Sequence, residues 1–467
     1  MFPLLTPRTT PSPRAPHQRF TELVRAHITP RSPAQPPPPH HGLYHGEPPT
    51  CQRHLPTFLV IFAHLALLIA LIRIYRIEGR ALFNLGNLLL IAVPIHYLLP
   101  YHWKRPALAA FGLLALSGVF GPILTALVAT AALTLLAIAR ANWPWSLRAL
   151  TLIAIASTAA LARAGLIPSP VPDLVWPVLA SLVMFRLIIY MYELKHARHP
   201  EPLSDSLAYL FLPPNACFLH FPVVDYRTFC RGFLARDIHS IQRAGLAMMT
   251  RGILHLLLYR LVYHRLLIAP TDVHSPATLA IYLFTNYLLY LRVSGQFHLA
   301  CGILHLFGYQ LPETHHHYLL ATGFTDYWRR INIYWKDFMV RVVFNPVVFR
   351  LKRWPRQAAL LTATAIVFLT TWALHGYQAF WLRGSWGFSL PDALFWAILG
   401  SLVMVNVLHD ARRKPAARAA LLARTPKALA LRSLKIAGTL TTICLLWSLW
   451  SSPSLAEWLA LFQRAFA

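Results

Sequence analysis

Gln357-Ala358-Ala359-Leu360-Leu361-Thr362-Ala363-Thr364-Ala365-Ile366-Val367-Phe368-Leu369-Thr370-Thr371-Trp372-Ala373-Leu374-His375-Gly376-Tyr377-Gln378-Ala379-Phe380-Trp381 runs for 25 residues without a Lys, Arg, Asp or Glu. About 20 apolar residues cross the hydrocarbon of a bilayer, so this stretch reads as a membrane-crossing helix. The basic turn Arg350 to Arg356 precedes it and Arg383 follows it. Cations at the ends of a span belong among lipid headgroups. Working outward, apolar runs recur at 56–76, 82–101, 105–120, 121–139, 147–165, 172–194, 246–268, 276–293, 294–310, 390–408 and 434–451. Several are short or abut. The expectation is an all-α polytopic integral membrane protein with about 10–12 transmembrane helices, plus re-entrant or interfacial helices. The run 455–466 is too short to span and reads as interfacial.

Composition points the same way. Hydrophobic residues are 56% of the 467 and charged residues 13%, where a soluble protein carries about 25%. Lys and Arg number 43 against 16 Asp and Glu, a net charge of +27. In a soluble chain that excess would suggest nucleic acid. In one this apolar it places cations at headgroups, so the bilayer is the expected partner and nucleic acid is not. Cys51, Cys217, Cys230, Cys301 and Cys444 are scattered with no CxxC pair, which argues against a disulfide framework or zinc ribbon. Acids are scarce and form no DxD-like cluster. Two-metal catalysis and metal-dependent sugar-nucleotide transfer need clustered carboxylates, so neither a metal nor a bound cofactor is expected.

The chain divides into four parts. Residues 1–55 hold 13 of the 37 prolines, including Pro36 to Pro39, and lack the apolar core of a secretory signal. They read as a disordered Pro-rich basic segment. Residues 56–198 read as N-terminal transmembrane helices, 199–410 as a core around a membrane cavity, and 411–467 as a basic loop with C-terminal helices. Basic connectors lie at Lys104-Arg105, Arg140 to Arg148, Lys195 to Arg198, Arg350 to Arg356 and Arg412 to Lys435. The positive-inside rule makes the last two cytoplasmic. Nearer the N-terminus, Arg73, Arg76 and Arg80 compete with the basic tail. The segments 199–245 and 311–356 mix Pro, His, aromatics and acids, including Glu201, Asp205, Asp225, Asp237, Glu313, Asp326 and Asp337. Irregular polar backbone survives at membrane depth only inside protein or around a wet cavity, so the site is expected there.

Two stretches carry chemistry. In Thr325-Asp326-Tyr327-Trp328-Arg329-Arg330-Ile331-Asn332-Ile333-Tyr334-Trp335-Lys336-Asp337, one helix capped by Thr325 or Asp326 is expected. Asp326 would pair with Arg329 or Arg330. Trp328, Asn332, Trp335 and Lys336 would share a face, an amide between two indoles beside a cation. The same spacing also describes an interfacial amphipathic helix with aromatic anchors. In the second stretch, Thr371, His375 and Gln378 fall on one helical stripe. Ionisable groups inside a span are functional candidates, and an imidazole in apolar surroundings stays neutral and available as a base. A histidine that hydrogen-bonds a neighbouring helix is the plainer alternative.

Together these stretches resemble the membrane-bound O-acyltransferase (MBOAT) family. The matching residues are Asp326-Tyr327-Trp328-Arg329-Arg330, then Asn332, and then His375 within Thr371-Trp372-Ala373-Leu374-His375-Gly376, 43 residues further on. The resemblance covers roughly residues 285–410. Bacterial members that modify envelope polymers more often carry His where this chain has Asn332. The resemblance implies transfer of an acyl group from a thioester, acyl-CoA or an acyl carrier protein, to a hydroxyl acceptor such as an envelope glycan, a lipid or a small metabolite. His375 would be the general base and Asn332 a stabiliser of the carbonyl oxygen. Trp328, Trp335, Thr371, Gln378 and His298 would line the substrate path. Arg329, Arg330, Lys336 and Arg341 would hold donor phosphates, or else form a headgroup belt.

Other features are weaker. His220 and Asp225 have a His-x4-Asp spacing interrupted by Pro222, and Leu212-Pro213-Pro214-Asn215 through Tyr226 reads as a re-entrant or interfacial turn. His315-His316-His317 reads as solvated histidines rather than a metal tract, since neighbours on a helix diverge. Gly295 reads as a break between spans, with Gln296 and His298 facing the cavity of His375, or else the stretch is an ordinary loop with polar caps. Asp337 is expected to pair with Arg341, or else to support Lys336. The rival function is a transporter or channel with a polar path, disfavoured because acids sit beside connectors rather than within spans. A glycosyltransferase using Asp225 or Asp337, and a structural scaffold, are weaker still. The Ala-, Leu- and Arg-rich composition points to a bacterial inner membrane.

Overall fold

A computed structural model describes residues 53–169, 171–195, 202–221, 224–412 and 425–467. The segment up to residue 52 (Cys51 included), the connector residues 196–198, Glu201, Pro222, Val223 and the basic stretch 413–424 lie outside the described residues. The described chain is α-helical, and its only strand-like feature is an isolated bridge between Phe233 and Tyr309. In order, the helices are α1 Leu55–Ile74, α2 Gly79–Leu98, α3 Tyr101–Phe120, α4 Pro122–Arg140, α5 Trp145–Arg163, α6 Val175–Val183, α7 Arg186–Lys195, α8 Leu203–Leu210, α9 Tyr226–Gly232 and α10 Ile238–Leu261. There follow α11 Pro276–Leu288, α12 Leu291–Leu306, α13 Phe324–Arg330, α14 Ile333–Met339, α15 Asn345–Arg350, α16 Arg356–Arg383, α17 Leu390–Arg412, α18 Pro426–Trp450 and α19 Leu455–Phe466.

Among the described residues nine helical stretches are long and apolar enough to cross a membrane, so the chain is an all-α, multi-pass membrane protein. The difference from twelve apolar runs has local causes. α3 is as long as its neighbours but opens on His102, Trp103, Lys104 and Arg105, and is not among the nine. The runs 276–293 and 294–310 fold as α11 and α12, of 13 and 16 residues, with the break at Leu289-Tyr290. The run 172–194 crosses as α6 and α7 with an interruption at Met184-Phe185.

Short turns make α1 to α5 alternate in direction, and contacts fix which connectors share an end. Lys104 is fully buried and donates from Nζ to the carbonyls of His96 at 2.5 Å and Tyr97 at 3.1 Å, closing the end of α2. At the α4–α5 turn on that same end, the Lys195 ammonium lies 4.6 Å from the Trp145 ring centre. At the opposite end Arg260 donates to the Tyr75 carbonyl, Arg292 pairs with Glu78 at 2.9 Å, and the Arg163 guanidinium lies against Gly384. The 28-residue α16 therefore starts, at Arg356, on the Lys104 end. Lys104-Arg105, Arg140 to Arg148, Lys195 and Arg350 to Arg356 thus share one end, and Arg73, Arg76 and Arg80 lie at the other.

The tightest helix pair is α10 against α12. A Cβ on Gly252 would stand 2.8 Å from the Gly295 carbonyl oxygen, and one on Gly302 would stand 2.6 Å from that of Gly245. Small residues let backbones approach where lipid supplies no hydrophobic drive between helices. Gly295 is therefore a packing position inside α12, not a break between spans. Gln296, one residue on, donates to Glu78 at 2.8 Å rather than facing His375. The turn after α8 is a 3-10 helix, Pro213–Ala216, seated against α3 where a Cβ on Gly112 would meet the Phe211 carbonyl. It is anchored by buried Arg186, which donates to the Leu210 carbonyl at 2.9 Å and to Asn215 Oδ1 at 2.5 Å. A cavity of about 20 Å³ beside Arg186, Tyr190, Ser206 and Leu136 touches none of the residues around His375.

Candidate active site

His375 lies in the last third of α16, half-buried. Its ring centre stands 4.8 Å from Trp396, 5.6 Å from Trp335 and 6.0 Å from Trp450. These indoles come from α17, α14 and α18, so three elements converge on one imidazole. No described residue hydrogen-bonds it. Gly376 follows because the Phe388 ring occupies the space of a side chain: a Cβ there would stand 2.2 Å from Phe388 Cζ.

The expected single helix over 325–337 is two, broken at Ile331-Asn332. Ile331 is extended, and Asn332 adopts the left-handed conformation with φ of 42°. The amide side chain explains the break. Asn332 Oδ1 accepts from the Trp335 backbone N–H at 3.3 Å, capping α14. That bond orients the amide and leaves Nδ2 as a donor. Gly323, rather than Thr325 or Asp326, is the cap residue of α13, and Asn406 Oδ1 accepts from the Phe324 N–H at 2.7 Å.

Several expected residues do meet here. Trp335 packs on His375, donates from Nε1 to buried Thr371 at 3.4 Å, and has its own amide capped by Asn332. Asn332 and His375 therefore hold the same tryptophan, one at its backbone and one at its ring. Trp328 reaches the cluster through Phe368 at 4.7 Å and Trp396 at 6.5 Å. Gln378 is half-buried, one turn after His375.

Others go elsewhere. Lys336 is buried and pairs with Asp337. Burial raises the Asp337 carboxyl above the usual carboxylate range despite that ammonium. Arg341, the expected partner of Asp337, instead bridges Glu193 at 2.5 Å and Asp225 at 2.8 Å. Arg330 pairs with Asp326 at 2.7 Å, as the spacing predicts. Arg329 closes α13 beside it. Lys336, Arg341 and Arg330 thus each pair with a carboxylate in this structure. Asp225 caps α9 through the Thr228 N–H at 2.8 Å and bonds Arg341, so it does not orient His220. Partial desolvation, then the positive charges of Arg383 and Arg292, lower the pKa of His220.

His298 belongs to a separate group. Its Nδ1 donates to the Ser294 carbonyl at 2.7 Å, and its buried Nε2 has no partner among the described residues. Its ring lies 5.3 Å from His255 and 5.8 Å from His315. His315 is 2% exposed and bonds the Tyr290 hydroxyl at 2.9 Å, whereas His316 and His317 are exposed. The expectation of three solvated histidines fails for the first, because the irregular backbone of 314–318 turns it inward. Among the described residues no group of three potential ligands is set to hold a metal ion.

The sequence reading missed Asp392. It is 9% exposed and accepts from Trp372 Nε1 at 2.5 Å and Trp450 Nε1 at 2.6 Å. Those bonds lock one indole of the cage, Trp450, to Trp372 on the helix that carries His375. At the head of an apolar run the residue looks like a headgroup acid, and its partners lie 20 and 58 residues away. Trp396 and Trp450 were equally silent, being tryptophans inside apolar runs. No protein-family model matches the chain, and no curated protein matches it.

Proposed function

We propose that the chain is an integral membrane O-acyltransferase of the MBOAT kind, moving an acyl group from a thioester to a hydroxyl. The observation that carries the reading is His375: an imidazole on a membrane-crossing helix, without a hydrogen-bond partner among the described residues, packed against three indoles, one of them the tryptophan whose amide Asn332 caps. A polar group left unpaired in apolar surroundings costs free energy, and chemistry is a reason to keep one. In the reading, His375 takes the acceptor hydroxyl proton as the oxygen attacks the thioester carbonyl. The carbon–sulfur bond breaks, the ester forms, and the proton passes to the departing thiolate. Asn332 Nδ2 donates to the carbonyl oxygen as negative charge develops. The donor is acyl-CoA or an acyl carrier protein, and the surrounding indoles exclude water that would hydrolyse it.

The finer topology belongs to the same proposal. The stretch 202–226 and the α11–α12 pair act as re-entrant elements, bringing the number of membrane-inserted segments to about 10–12. The basic end faces the cytoplasm of a bacterial inner membrane. The test is His375→Ala in proteoliposomes with labelled acyl thioester and hydroxylated acceptors. Transfer should fall by about 10²–10⁴-fold, the usual worth of a general base, while insertion and melting hold. Transport of the acceptor without ester formation, or full activity in the variant, would sink the reading.

A further inference from the structure

Between Asp337 and Asp392 the sequence has no acid, yet the turn joining α15 to α16 carries Arg350, Lys352, Arg353 and Arg356. The turn is tight. Leu351 N–H donates to the Val347 carbonyl at 2.9 Å and Trp354 N–H to that of Leu351 at 2.9 Å. No described carboxylate pairs with Arg350, Lys352 or Arg353. Two large rings stand out beside them: Phe349 is 68% exposed and Trp354 53%. The Lys352 ammonium lies 5.0 Å from the Phe349 ring centre, so a cation and an exposed ring already form one patch.

At the far end Arg73, Arg76 and Arg80 stand beside cations that are matched by acids. There Arg292 pairs with Glu78 at 2.9 Å and Arg163 with Asp173 at 3.4 Å. Cations matched by acids have little left to offer an anion. Unmatched cations beside exposed aromatic rings, at the head of a membrane-crossing helix, suit phosphate oxygens above and the glycerol–acyl boundary below.

We propose that the turn Phe349–Trp354 is a binding surface for acidic phospholipid headgroups. The surface is independent of the acyl-transfer reading, since none of its residues touches the His375 cluster. Each of the three cations should contribute about five-fold in affinity.

The test uses the purified full chain in dodecyl maltoside micelles doped with phosphatidylglycerol or, at equal mole fraction, phosphatidylcholine. Two signals are read: the melting temperature, and Trp354 emission taken as the difference from Trp354→Phe. Phosphatidylglycerol should raise the melting temperature and shift the emission to the blue, and phosphatidylcholine should do neither. The triple variant Arg350→Gln/Lys352→Gln/Arg353→Gln should melt as wild type in plain detergent and lose the preference. Equal responses to both lipids, or a preference surviving in the triple variant, would overturn the proposal. So would inorganic phosphate reproducing the effect, which would mark a free-anion site.

Discussion

Asn332 concentrates the residue-scale argument. Few non-glycine residues tolerate the left-handed region, and asparagine is the commonest of them. Here the same side chain caps α14 and turns its amide nitrogen outward. Asn332→Gly keeps the backbone conformation and most of the stability. Asn332→Ala loses both cap and conformation and should cost about 1–2 kcal/mol, read from detergent melts. If the proposed acyl transfer holds, both variants should transfer acyl groups slowly, because both lack Nδ2; a glycine variant with wild-type turnover would remove the amide from that proposal. The sequence put Thr371 and His375 on one stripe and Asn332 near Trp335 because those spacings are local, and only a resemblance joined the two stretches; in the structure Trp335 meets both Thr371 and His375. It hid Asp392, whose two indole donors come from other helices. It also hid the acids that Arg341 bridges, Glu193 and Asp225, which cannot be paired by counting along a helix.

At the scale of elements, apolar periodicity located nearly every helix but not how helices pack. Gly295 shows the limit: a glycine flanked by polar residues reads equally as a loop or as a contact, and the partner that decides is Gly252 on another helix. Gly302→Ala would put a Cβ 2.5 Å from Met249 Cγ and 2.6 Å from the Gly245 carbonyl oxygen. Separating α10 from α12 should cost about 1–3 kcal/mol, as overpacking does. Gly438→Ala, with nothing within 4 Å, is the control and should be neutral or gain up to about 1 kcal/mol from helix propensity. Equal melting temperatures for the two variants would contradict the close-packed pair.

For the whole molecule, charge distribution and buried histidines set the response to conditions. Burial, then the neighbouring His298 and His255, hold His315 well below its ordinary pKa of 6.5. Below pH 6.5 the unfolded chain therefore binds a proton that the folded chain refuses. Stability is highest above that pH and falls as pH drops, by at most about 1.4 kcal/mol per unit for this group. Comparing melts at pH 7.5 and 5.5 should show a smaller loss in His315→Gln than in wild type; identical losses would mean that the imidazole does not refuse the proton. The sequence predicted a multi-pass α-helical protein from its apolar runs and composition, while the common end of its basic connectors required tracing the helices in space. That trace gives α16 a further meaning, as a ruler. With a rise of about 1.5 Å per residue, His375 stands about 28 Å along the helix from Arg356 and only about 12 Å from Arg383. A molecule arriving from the Arg383 face has a short descent, and one anchored at the Arg356 face must extend a slender arm through more than half the membrane.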